Sequence, residues 1–317
     1  MNRILTAALL SLTAAPVCAA PNVVADIPAI GSLAQQVMGD LGQVRVLLPD
    51  GASAHHYQMR PSDAAALQSA GLLVWVGPDL TPWLTRAAGN LGAGVAQVEL
   101  LRVDGTHLQD YGDGAAHDHG DHDDHGHDHD HDDHAHDDHD HSHDGTDPHA
   151  WLDPANAVIW LGAIADALAE QDAENAATYR ANADAAAAQI TALDAELKAQ
   201  LTPLADHSFV VFHDAYGYFT GHYGLQPALS VTLGDASTPS AARLASIRAT
   251  IQDTGATCAF PEYNHDDALV KTVIEGTGAR LGGKLAPEGT NVDLGADQYA
   301  ALLRNLADTL TDCLAAD

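Results

Sequence analysis

Basic residues are scarce in this chain. Thirteen lysines and arginines face 44 aspartates and glutamates, and the formal net charge is −31. A field of that sign excludes nucleic acid as a partner, because no basic patch could dominate it. Long apolar runs are scarcer still. Only the stretch from Ile4 to Val17 qualifies, with Ser and Thr as its polar interruptions. It falls short of the roughly 20 apolar residues that a membrane-spanning helix needs. No His-Glu-x-x-His helix or comparable catalytic signature is present, which leaves a metallohydrolase without its usual support. Cysteine is limited to three residues. Against these absences, hydrophobic residues make up 46% of 317 residues, enough to bury the core of one large domain or two modest ones.

The N-terminal stretch reads as an export signal covering residues 1–20. Arg3 gives it a positive start, and small residues follow at Val17-Cys18-Ala19-Ala20 before Pro21. Val17 stands where a lipoprotein would carry Gly, Ala or Ser, which disfavours a lipid anchor on Cys18. The mature chain is expected to be soluble and exported to an oxidising compartment. There the other two cysteines, Cys258 and Cys313, are expected to pair. Closing so long a loop would stabilise the fold by roughly 4 kcal/mol in the chain-entropy model.

From Val23 to about Leu101, β-type runs alternate with helical patterns. Val44–Leu48, Leu72–Val76 and Val95–Leu101 read as buried strands, with helices over Gly31–Met38, Pro61–Ala70 and Pro82–Leu91 between them. Pro82 suits a first helical turn, and Ser62 and Asp63 are cap-like. Residues 105–147 break the pattern. Two helical stretches then fill 153–201, the second with an apolar stripe at Ile190, Leu193, Leu197 and Leu201. That helix would run for about 28 residues, roughly 40 Å, until Pro203 stops it. The alternation resumes with strands at Phe209–Phe212, Ala228–Leu233 and Thr257–Phe260 and a weaker one at Ala279–Leu285. Helices are expected at Ser240–Thr254, Asp266–Gly276 and Ala296–Leu314. The fold class is therefore α/β: two lobes, each a mainly parallel sheet flanked by helices, joined by a long rigid helix. The boundaries fall at 21–171 for the first lobe, 172–202 for the linker helix and 203–317 for the second lobe.

The low-complexity segment is the loudest feature. Within residues 115–146, expected to form a disordered loop, stand His117, His119, His122, His125, His127, His129, His131, His134, His136, His139, His141 and His143, alternating with aspartates. Such a run cannot bury apolar surface. Neutral imidazoles bind zinc, copper and nickel, so the run indicates metal handling. Its sites would be flexible and mixed, hence less selective than a preformed one.

Three other histidines have more specific settings. His55 follows the strand that ends at Pro49, His149 opens a helical segment, and His213 closes the strand Phe209–Phe212. In open α/β sheets ligands bind beyond the carboxyl ends of the strands, which suits His55 and His213. A lone histidine is more often a solvated or hydrogen-bonded side chain than a ligand. His107, His207, His222 and His265 lack ligand-like context and are read that way. Arg60 and Glu262 are read as charged contacts around the cleft or as ordinary surface or lobe-packing residues, and Trp75 and Trp83 as core.

The segments Gly51-Ala-Ser-Ala-His-His-Tyr-Gln-Met-Arg-Pro-Ser-Asp63, Asp147-Pro-His-Ala-Trp-Leu-Asp-Pro154 and Phe212-His-Asp-Ala-Tyr-Gly-Tyr-Phe219 resemble signatures of a known family. It comprises the zinc- and manganese-binding components of bacterial ABC importers, and the likeness is greatest to those of zinc uptake. It extends over essentially the whole mature chain and includes the acidic His-rich insertion and the cysteine pair. The resemblance implies two α/β lobes bridged by a rigid helix, with metal held in the cleft between them.

Residue by residue, the resemblance places the metal ligands on His55, His149 and His213. Manganese members carry a carboxylate where this chain has His213, and imidazole there favours zinc over the harder ion. The fourth position departs from the family. Ala54 stands where some zinc members have Glu, and Ala286 where many relatives have an acidic residue. Water is the first choice for that position, and Glu288, His56 and a histidine of the run stay open. The expected cargo is Zn2+, captured in the periplasm and delivered to the permease of an inner-membrane ABC importer. The His-rich run would act as an accessory collector or sensor. A periplasmic zinc metallochaperone stands as a candidate loading partner, and a monomer is expected. No catalytic residue is expected, although three histidines and a water also describe a catalytic zinc. A periplasmic zinc buffer and a manganese carrier are the alternatives.

Overall fold

The computed structural model describes residues 20–91, 94–111, 145–232 and 239–316. The stretch read as an export signal, up to residue 19, and the His-rich run lie outside the described residues. Two four-stranded sheets organise the chain, and every strand pairing in both is parallel. The first holds β1 (Val23–Ala25), β2 (Val44–Val46), β3 (Leu72–Trp75) and β4 (Ala96–Glu99), in the order β2-β1-β3-β4. The second holds β5 (Phe209–His213), β6 (Leu229–Thr232), β7 (Cys258–Phe260) and β8 (Arg280–Leu281), in the order β6-β5-β7-β8. The two sheets thus share one winding order, with the strand direction of travel reversing between the first and third strands of each.

The connecting helices are α1 (Pro28–Met38), α2 (Pro61–Gln68), α3 (Pro82–Ala88), α4 (Pro154–Gln171), α5 (Ala176–Leu201), α6 (Gly217–Tyr223), α7 (Ala241–Thr254), α8 (Ala268–Ile274) and α9 (Gln298–Leu314). Proline opens α1, α2, α3 and α4, where its missing N–H costs no hydrogen bond. Asp153 caps α4 by accepting from Ala155 N, and Ser240 caps α7 by accepting from Arg243 N. The strand alternation sorts side chains by face. Val23, Ala25, Leu72 and Val74 face one core, while Val24, Leu73 and Trp75 face a smaller one beneath α2 and α3. In the second sheet Phe209 and Val211 share the larger core, while Val210 and Phe212 face α7 and α8.

That larger core is continuous across both sheets. It takes in α1, α4, α6 and α9 as well as the stripe of α5: Tyr179, Ala183, Ala186, Ile190, Leu193, Leu197 and Leu201. The 26-residue α5 is therefore a packed strut and not a bare connector. Buried polar links add to it. Ser32 on α1 donates to Ala296 O (2.9 Å) and accepts from Tyr299 N on α9 (3.0 Å). Tyr299 donates to Trp151 O (2.8 Å), and Trp151 Nε1 donates to Pro287 O (2.7 Å). Bending the two sheets apart would open a shared interior, which is packed at near-crystalline density and resists such strain. The pair Cys258–Cys313 is a disulfide that ties β7 to α9. Among the described residues no helix is long and apolar enough to cross a membrane.

Candidate metal centre

His55 sits on the loop after β2, and the loop is fastened at several points. Trp83 Nε1 donates to Ala54 O (2.7 Å), and the Trp83 ring meets Tyr57 edge-on at 5.0 Å between centroids. Asp63 Oδ2 accepts from the Tyr57 hydroxyl (2.7 Å) and from Arg60 N (2.8 Å), while the Arg60 guanidinium lies 5.9 Å over the Tyr57 ring. Trp83 thus does more than fill the core, and Arg60 braces this loop instead of lining the cleft. Ala54, next to His55, is fully buried in the main core.

The other two imidazoles are almost fully buried, and each is held by a carboxylate. His149 Nδ1 lies 2.7 Å from Asp147 Oδ1, which also accepts from His149 N (3.0 Å). His213 Nδ1 lies 2.8 Å from both oxygens of Glu262. Glu262 follows β7 and His213 ends β5, so the parallel pairing of these strands brings the two together across the reversal point of the second sheet. Tyr216 donates to Glu262 Oε1 (2.9 Å), and burial and the Glu262 charge push its own pKa well above the usual tyrosine range. A carboxylate at Nδ1 requires a proton there, which leaves the Nε2 lone pair of each ring as the donor for a metal.

The ligand atoms of His55, His149 and His213 all lie within 4.8 Å of one another. Nε2 of His55 and Nε2 of His149 are 3.3 Å apart. With bonds of about 2.0–2.1 Å, a tetrahedral zinc spaces its ligands about 3.3–3.4 Å apart, so this edge already has the required length. Ring centroids are 5.3 Å apart for His55 and His149, 5.4 Å for His149 and His213, and 6.3 Å for His55 and His213.

The structure brings these three together and leaves His56 and Glu288 outside the cluster, while the histidines of the run lie outside the described residues. His56 is exposed. Glu288 is buried near the cluster, where the strand-like pairing of Leu285 with Glu262 delivers it. Burial raises its pKa to about 7, opposed by the His213 and His149 charges and reinforced by Glu262. Asp147 went unnoticed in the sequence, although its place two residues before His149 is the spacing at which a carboxylate can reach back to its own loop.

His107, His222 and His265 are hydrogen-bonded or packed side chains outside the cluster, as the sequence reading expects. His265 stacks on Phe212 at 4.2 Å, with Nε2 3.9 Å from Glu262 Oε2. His107 Nδ1 lies 3.0 Å from Asp153 Oδ2. His222 bridges two carboxylates, Asp153 Oδ1 at 2.9 Å and Asp194 Oδ1 at 2.8 Å, and so ties α6 to α4 and α5. Burial would lower the His222 pKa, but the hydrogen bonds and charges of Asp153 and Asp194 outweigh it and raise the pKa above the ordinary histidine value. A raised value means that the stabilisation is fully present below the ordinary pKa and fades as pH rises through the folded one. His222→Asn is therefore expected to destabilise the fold by about 1–2 kcal/mol at pH 6, with a smaller gap at pH 9. Urea melts of both proteins at the two pH values check this, and an equal gap would show that the imidazolium is not the stabilising form.

Two parallel α/β lobes on one shared core, with a clustered histidine centre at the carboxyl ends of their strands, define a two-lobed binding protein with a metal-competent cleft. The comparisons with known proteins agree. The family profile of ZnuA, the zinc-uptake complex component A periplasmic, matches residues 23–313. The chain belongs to that family. The high-affinity zinc uptake system protein ZnuA of Paracoccus denitrificans (strain Pd 1222) is 55% identical over 322 residues, covering 100% of this chain and 99% of that protein. Its namesake in Brucella abortus (strain 2308) is 40% identical over 306 residues, covering 92% and 91%. A solved structure described as the crystal structure of ZnuA superposes with a TM-score of 0.73 at 25% identity, covering 93% of this chain and 99% of that one.

Proposed function

We propose that this chain captures Zn2+ in the periplasm with His55, His149 and His213 and hands it to the permease of an ABC zinc importer. The observation that carries the reading is the convergence of three imidazoles, from three separate segments, within 4.8 Å. Nitrogen donors alone suit zinc better than manganese. Water completes the tetrahedron, and Glu288 is next in line because it is buried beside the cluster. The role is carriage without catalysis. The proposal extends to an exported, monomeric chain whose leader is removed, with lobes at 21–171 and 203–317 joined by 172–202. It also extends to the histidines of 117–143 as an accessory collector, and to a metallochaperone as a loading partner. Zinc-loaded protein added to the importer in liposomes should stimulate its ATPase, and the His55→Ala, His149→Ala, His213→Ala triple variant should not. Equal stimulation by both would reject the reading.

Glu262 carries a second expected result. Glu262→Gln keeps the shape but removes the charge that makes His213 a stronger donor. Zinc affinity should fall roughly ten- to a hundredfold, the usual consequence of losing a carboxylate behind a metal-bound histidine. Competition against a chromophoric chelator measures it, and an unchanged affinity would separate Glu262 from the metal.

A further inference from the structure

The residues that flank the His-rich run form a short antiparallel ladder. Tyr111 N donates to Gly145 O (3.1 Å), Asp147 N donates to Gln109 O (2.9 Å), and Asp110 pairs with Thr146 between them. The ladder ends on Asp147, the carboxylate that holds His149. From the second sheet, the first turn of α6 meets it side-on. The Tyr218 hydroxyl accepts from Gln109 N (3.0 Å) and donates to Asp147 O (2.9 Å), so one phenol fastens both strands of the ladder. The side-chain amide of Gln109 donates to Asp147 Oδ2 (3.0 Å). That amide lies against the bare Cα of Gly217. A Cβ at 217 would stand 2.3 Å from Gln109 Nε2 and 3.3 Å from Asp147 Oδ2. Only glycine lets the amide remain where it is.

Asp147 is thereby held from every side. Oδ1 accepts from His149, Oδ2 from Gln109, its carbonyl accepts from Tyr218, and its N–H donates to Gln109. The segment that supplies Gly217 and Tyr218 also supplies His213, four residues earlier. One stretch of chain therefore carries both a cleft imidazole and the clamp on the carboxylate behind another. We propose that Gly217, Tyr218 and Gln109 are positioning residues that fix His149 relative to His213 and so set metal affinity from outside the ligand set. This rests on the reading of His149 and His213 as zinc ligands. The reason is geometric. Ligands must converge to within tenths of an ångström, and outer partners of a metal-bound histidine hold them there. Tyr218 is 1% exposed, so no water can replace its hydroxyl without rearrangement.

The test uses the full chain with zinc and with one equivalent of Co2+. Tyr218→Phe keeps the ring and removes both hydrogen bonds, and Gly217→Ala displaces the amide. Each should weaken zinc binding roughly ten- to a hundredfold and shift the cobalt ligand-field bands. Gly217→Ala should cost almost nothing further in a Gln109→Ala background, because the group it displaces is gone. Weakened zinc binding with wild-type cobalt bands would mean a merely structural role and would overturn the proposal. So would wild-type affinity in Tyr218→Phe while His213→Ala loses binding. Should His213→Ala itself bind as the wild type does, the ligand reading fails, which is a different result. If Gly217→Ala does not fold, Tyr218→Phe decides alone.

Discussion

His213→Ala should weaken zinc binding by roughly two to three decades. Structural zinc in zinc-finger peptides binds with about 10–16 kcal/mol at neutral pH, and sharing this among three or four ligands gives roughly 2.5–5 kcal/mol each, centred near two to three decades. The loss should exceed that from Glu262→Gln, because a ligand is removed and not merely adjusted. It also strips Glu262 of the imidazole bonded to both its oxygens, leaving a buried carboxylate that still accepts from Tyr216. The variant is therefore expected to lose stability too, and His55→Ala is the companion measurement. His55 is only half-buried, whereas His213 is almost fully buried, so removing His55 should weaken zinc binding with less change in the apo melting curve. Chelator competition on both variants, with thermal melts of the apo forms, separates ligand loss from unfolding. Zinc affinity unchanged in either would remove that histidine from the centre.

Removing the disulfide is the second large effect. Cys258 and Cys313 enclose 55 residues of separation, and the link joins the third strand of the second sheet to the last helix. Replacing both by alanine should cost about 2–4 kcal/mol, most of it through a less restricted unfolded chain. For a protein of this size that is a fall of roughly 3–6 °C in melting temperature. Zinc stoichiometry should stay at one in the cleft, since neither cysteine belongs to it. Melts of oxidised, reduced and double-alanine protein check the claim. A shift of under about 2 °C would show that the packing of α9 on α1 and α5 already fixes that end of the chain.

Much of the fold was legible because its elements repeat two simple patterns. Short apolar runs between turn residues became strands of two parallel sheets, and the apolar stripe of Ile190, Leu193, Leu197 and Leu201 became part of α5. Boundaries were harder. The weak strand expected at Ala279–Leu285 contracts to Arg280–Leu281, α1 starts at Pro28 and not at Gly31, and the three-residue β1 just before it went unread. The helix α6 went unread. Gly-Tyr-Phe-Thr-Gly-His-Tyr has poor helix propensity, and only the burial of Tyr218, Phe219 and Tyr223 makes it helical.

The centre divides in the same way. His55, His149 and His213 stood out because each lies in a distinctive local segment. Their supports did not, since Glu262 reaches His213 only through the pairing of β5 with β7, 49 residues away in sequence. Tyr218 reaches Asp147 across 71 residues. Sequence spacing carries no trace of such contacts; topology creates them.

The central claim is that the clustered histidines, and not the His-rich run, make the tight zinc site. Zinc and manganese competition titrations on protein lacking residues 117–143, with stoichiometry determined, test it most directly. One tight site that prefers zinc is the expected result. No tight site, or a preference for manganese, would contradict it.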